Sequence, residues 1–169
     1  MMETFLRDLQ QPEYLHVLLN PLPVYGLAIG LFGFIAAMYL GSRGGRLTAL
    51  VLIFACAVSA WPVAHHGDEA YDRVLSMADD DGQAWLKAHA HRADQLIYFF
   101  YALALVSVAA IFLPKKWPKS AWPLTIATLI LAFLSLGAGG YIAYAGGKIR
   151  HREFRTSPPP KTEPGESAR

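Results

Sequence analysis

Four stretches of this chain are apolar without interruption. They run from about Leu22 to Leu40, Leu47 to Ala64, Leu96 to Leu113 and Ala121 to Ala145, and none holds Asp, Glu, Lys, Arg or His. A tract of roughly 17–25 such residues, rising 1.5 Å each, matches the ~30 Å hydrocarbon core of a bilayer. Backbone groups in lipid must be paired within their own segment, so each tract is predicted to be a helix. Strands would need alternation and closure into a barrel, and no alternation is present. The fold class is therefore an all-α integral membrane protein, a bundle of four transmembrane helices. The remaining residues are too few to cover four all-round apolar helices in a soluble protein.

The connections fill in the layout. Residues 1–21 read as an interfacial segment: Phe5, Leu6 and Leu9 share one side of a short helix, and Pro12 opens a second turn with Tyr14, Leu15, Leu18 and Leu19. Asn20, Pro21 and Pro23 are expected to break it from the first span. Glu3, Asp8 and Glu13 against one Arg7 lack the basic start of a cleaved leader, so the first tract is read as retained. The membrane domain takes residues 22–146. Its loops at Gly41 to Arg46 and Pro114 to Ser120 are short, which makes neighbouring spans antiparallel. The long connection, 65–95, is read as an extramembrane helical hairpin, helical around Tyr71, Val74, Leu75 and Ala78 and turning at Asp79, Asp80, Asp81 and Gly82. Pro62 is expected to kink the second span. Residues 147–169 read as a basic run followed by a disordered tail carrying Ser157, Pro158, Pro159 and Pro160.

Small residues mark expected helix contacts. Gly26, Gly30 and Gly33 form one stripe; Gly137, Gly140 and Gly146 form another. The single cysteine, Cys56, has no disulfide or metal partner and reads as a packing residue.

Charge sorts by membrane face. Only 17% of the 169 residues are charged, against ~25% in soluble domains. All 13 acids and all six histidines fall on the face that holds both termini and the long connection. The short-loop face carries only Arg43, Arg46, Lys115, Lys116 and Lys119, which assigns it to the cytoplasm and the termini and His-rich face to the outer side. Lys148, Arg150, Arg152 and Arg155 argue the other way and could meet anionic lipid. No ionisable residue sits at mid-membrane depth, which speaks against a pump or channel.

The constellation that carries chemistry is the histidine set: His16, His65, His66, His89, His91 and His151. Every span brings at least one to the same rim. Imidazole binds divalent metals and haem iron. His89 and His91 lie about 200° apart on a helix, so only one of them can face inward. The inner set is read as one of each adjacent pair plus His16 or His151, with Asp68, Glu69 and Asp94 as nearby carboxylates. A haem version uses His66 and His89 as axial ligands. With no histidine on the other face, one rim haem is the limit. No linear zinc motif occurs. Trp61, Trp117 and Trp122 read as interfacial aromatics.

His16, Val17, Leu18, Leu19, Asn20 and Pro21 before the first span, with Gly146, Gly147, Lys148, Ile149, Arg150 and His151 after the fourth, resemble a family of small bacterial four-span membrane proteins of unknown function, the uncharacterised family numbered 2231. Asn20 stands where that family often has its second His. The resemblance implies a bacterial inner-membrane location and this architecture, and no established activity. The functional expectation is a membrane protein holding b-type haem or a divalent metal at one face, for electron transfer or metal handling. The alternative is an accessory or assembly subunit of a larger membrane complex; a transporter and then an enzyme come after. Expected partners are the lipid bilayer and a membrane protein or second copy, with no nucleic acid.

Overall fold

The computed structural model describes residues 2–160. Among the described residues the regular structure is helical, without strands: α1 Met2–Asp8, α2 Pro12–Leu19, α3 Leu27–Tyr39, α4 Arg43–Val58, α5 Ala60–Met77, α6 Asp80–Lys116 and α7 Ala121–Arg150. They group into four helical rods long and apolar enough to cross a membrane, Pro12–Tyr39, Arg43–Met77, Asp80–Lys116 and Pro118–Arg150. The outer surface is apolar where a soluble protein would be polar: Ile29, Phe32, Leu105, Phe112, Ile130 and Phe133 are all exposed. Contiguous exposed apolar surface of this extent needs a non-aqueous partner, and the bilayer supplies it.

Two prolines shape the first rod. Pro21 and Pro23 lack N–H groups, and a break was expected there. Instead a π turn, Leu22–Gly26, carries α2 into α3, with the Leu27 N–H reaching back to Leu22 O. The extra residue in a π turn absorbs the missing donors. α2 is thus continuous with the first span and packs on α5 through Glu13, whose carboxylate lies 2.6 Å from Arg73 Nη1. Pro62 leaves a local mark on the second rod. It cannot donate to Val58 O, and the helix is interrupted at Ser59, whose hydroxyl donates to Cys56 O at 2.7 Å. At 37 residues, α6 is about 55 Å long, so its first five turns stand clear of a ~30 Å core. They pair with the outer half of α5 in the expected hairpin. Asp79 caps α6 by accepting from Gly82 N at 2.9 Å.

The core is in two parts. Within the membrane, Leu27, Leu31 and Phe34 meet Ile53, Cys56, Phe100 and Leu103. At the rim, Trp85 and Leu86 meet Ala145 and Ile149. Gly26 and Gly30 do bring α3 against α4: an added methyl would lie 2.8 Å from Cys56 Sγ and 3.1 Å from Ile53 Cγ1. Gly33 is looser, with Ala49 4.0 Å away. The second stripe needs correction. Gly137 and Gly140 are exposed and have nothing within 4 Å; the inward glycines of α7 are Gly139, against Val24 and Phe100, and Gly146, against His89.

The basic run is also placed differently from the expectation. Lys148 is 2% exposed, under the rings of Trp85 and Tyr144. Arg155 folds back to donate to Lys148 O, Ile149 O and Asp79 Oδ2, while Arg152 lies 2.8 Å from the same carboxylate. These cations hold residues 152–155 to the α5–α6 turn. Of the tail expected to be disordered, residues 161–169 lie outside the described residues, as does the side chain of Phe5.

Candidate functional site

The ends of α2, α5, α6 and α7 surround a cavity of about 540 Å³ at the terminal face. That is within the ~300–1,000 Å³ usual for a small-molecule site. Small side chains make the space: Ala64 and Gly67 from α5, Ala90 and Ala93 from α6, Ala143, Gly146 and Gly147 from α7. A second void of about 60 Å³ continues it toward the membrane, lined by Val63, Phe100 and Gly139 among others. His16, Asn20 and His89 border both spaces.

The structure selects two of the six histidines. His16 on α2 and His89 on α6 lie with ring centroids 6.1 Å apart and planes at 86°. Their supports are matched. His16 Nδ1 is 2.8 Å from Val63 O, and His89 Nδ1 is 3.0 Å from Ile142 O. A carbonyl oxygen only accepts, so Nδ1 carries the proton in each neutral ring and the lone pair is left on Nε2. Four residues after each carbonyl comes a glycine under the ring. A methyl at Gly67 would lie 2.9 Å from His16 Nδ1, and one at Gly146 would lie 3.1 Å from His89 Nδ1. A carbonyl and the glycine one turn on therefore grip each imidazole, once on α5 and once on α7.

The other histidines are turned elsewhere. His66 Nδ1 bonds Glu69 at 3.0 Å, His65 Nε2 lies 3.5 Å from the same carboxylate, and His65 stacks on Trp61. This corrects the expectation of His66 as the partner of His89: on α5 the inward position one turn past Val63 is Gly67, and His66 lies about 100° away, where Glu69 reaches it. His91 is exposed on the side of α6 away from His89, as the 200° argument required. His151 pairs with Glu153 at 2.9 Å and stacks on Phe154. Asp68 and Asp94 line the large cavity and Glu69 does not. Sequence reading missed Gly67 and the two carbonyls. The available signal was an apolar residue followed four later by glycine, as in Val63 with Gly67 and Ile142 with Gly146.

Among the described residues, no group of three or more His, Cys, Asp or Glu is placed to hold a metal ion. A protein-bound zinc needs three or four such ligands. Two imidazoles suffice for one common centre, a haem iron, whose porphyrin supplies the other four nitrogens. His16 and His89 would be the residues to hold such a centre, each through Nε2, since Nδ1 is engaged with a backbone carbonyl.

Outside the spans, electrostatics fix the rim. The Arg155 guanidinium bonded to Asp79 holds that carboxyl far below the usual range, helped by Gly82 N–H and Arg152. Glu153 is lowered by its own backbone N–H and by His151.

No protein-family model, curated protein or solved structure matches this chain, so the likeness to the four-span family stands on its short motifs alone.

Proposed function

We propose that this chain is a membrane-embedded haem protein that holds one b-type haem between His16 and His89 and serves one-electron transfer at one membrane face. The observation that carries the reading is the matched pair of imidazoles, each fixed by a backbone carbonyl through Nδ1, 6.1 Å apart on a cavity of about 540 Å³. Such Nδ1–H bonds set the tautomer and raise the basicity of Nε2, as they do for ligating histidines generally. Bound there, the group supplies a reversible ferric–ferrous couple. The chain's own residues orient the rings, keep the space open with alanine and glycine, and surround it with Leu86, Val74 and Ile149, which limit water. A single centre at one rim leaves the opposite face without a redox group, so electrons enter and leave on the histidine side. Under the charge bias of the short loops, that side is the outer face of a bacterial inner membrane.

The test is direct. The full chain is expressed with a haem precursor and purified in detergent. Expected are a Soret band, a low-spin reduced spectrum on dithionite and one iron per chain by elemental analysis. A colourless, iron-free protein that also leaves the spectrum of added haem unchanged would end the proposal.

A further inference from the structure

The cavity that holds His16 and His89 is not closed over by carboxylate chemistry on every side. Arg150, the last residue of α7, lines its mouth one turn beyond Gly146. Its guanidinium reaches across to Met77 at the end of α5, where Nη2 is 3.8 Å from Sδ. A thioether is a weak acceptor, so this bridge leaves most of the five guanidinium donors for something stronger. The neighbouring cations are committed. Arg73 pairs with Glu13 at 2.6 Å, Arg92 stacks 3.7 Å over Tyr141 and bonds its carbonyl, and Arg152 and Arg155 hold Asp79. The acids that line the cavity are Glu13, already paired with Arg73, together with Asp68 and Asp94. Asp94 lies five residues past His89 toward the membrane, whereas Arg150 lies four past Gly146 toward the rim. At the rim end the cavity lining thus sets Arg150 beside Asp68, one residue past Gly67, with Glu13 already held by Arg73.

We infer that Arg150 receives the carboxylates of the ligand: the site takes a planar apolar molecule with acidic groups on one edge, and that edge points out of the membrane toward the end of α7. Arg150 orients the ligand; it is not a ligand to iron. The inference rests on the haem reading above and makes it directional. It uses the planar fork that suits bidentate carboxylate binding, and binding exchanges the Met77 contact for a charge-assisted one.

The experiment compares haem b with its dimethyl ester, which has the same ring and no carboxylates. The purified full chain, Arg150→Gln and Arg150→Lys are each titrated with both, following the Soret band. Arg150→Gln is expected to weaken haem b by about 10- to 100-fold and to leave the ester's affinity within twofold. Arg150→Lys is expected to recover part of the loss. Equal haem b affinity in the wild type and in Arg150→Gln overturns the inference while the haem reading survives. So does an equal loss for haem b and ester, which marks a packing role only. A wild-type chain that binds neither compound removes the haem reading and this inference together.

Discussion

One methyl group at Gly67 tests the geometry more sharply than removal of a histidine. Built on the backbone, it falls 2.9 Å from His16 Nδ1 and 3.0 Å from Cε1, closer than carbon and ring atoms tolerate. The imidazole can swing aside, since it is the free end of a side chain. In doing so it gives up the 2.8 Å bond to Val63 O, a net ~0.5–1.5 kcal/mol, and crowds its neighbours at a cost of ~1–3 kcal/mol. Against this, Gly→Ala inside a helix gains ~0.5–1 kcal/mol. The balance is a loss of about 0.5–4 kcal/mol, or a Tm lower by roughly 1–16 °C for a chain of this size. Gly137→Ala in the same protein is the control, because its new methyl meets nothing within 4 Å and keeps only the helix gain, zero to ~1 kcal/mol. The assay is thermal unfolding of the purified chain in detergent by circular dichroism, with haem titration alongside. Gly67→Ala should be the less stable of the two and should bind haem at least tenfold more weakly; Gly137→Ala should match the wild type in binding. If Gly67→Ala and Gly137→Ala proved indistinguishable in both readouts, the grip on His16 would be illusory.

Other outcomes follow from the same contacts. The His16 and His89 planes stand at 86°, so the ferric haem complex should show one highly anisotropic low-field electron paramagnetic resonance feature; three well-separated features of moderate anisotropy would mean that the rings turn parallel. Asp79 is held far below the usual carboxylate range by Arg155. Its contribution is therefore complete above about pH 4 and is lost as pH falls through its lowered value. At pH 7, Asp79→Asn should expose residues 151–157 to protease and hydrogen exchange, and unchanged protection there would refute the clasp. Cys56 is 3% exposed against Gly26, so a maleimide should label it only after unfolding, and fast labelling of the native protein would contradict the α3–α4 packing.

Much of the fold was legible because lipid rejects charge. The four tracts without ionisable residues are the membrane halves of the four rods, and the turn read over Asp79 to Gly82 marks where α5 gives way to α6, although α6 already begins at Asp80. The proline stretch at Pro21 and Pro23 misled, because a π turn is a cheap repair that leaves no mark in composition. The face of α7 was illegible for another reason: a helix apolar on all sides carries no phase, so Gly137 and Gly140 looked equivalent to Gly139 and Gly146. The histidine rim was legible as a set, and the exclusion of His91 followed from helix angles alone. The choice of His16 over His66 did not. It depends on which carbonyls accept from Nδ1, and backbone acceptors such as Val63 O and Ile142 O have no side-chain signature. His66 also had a decoy partner in Glu69, three residues on, which the structure shows it using.

The central claim is that two imidazoles, His16 and His89, share one iron. Dithionite-reduced minus oxidised spectra of the purified wild type, His16→Ala, His89→Ala and His66→Ala address it in one series. The low-spin haem spectrum should be present in the wild type and in His66→Ala, and lost in each of the other two. A spectrum that survives His16→Ala or His89→Ala, or that disappears with His66→Ala alone, would contradict it.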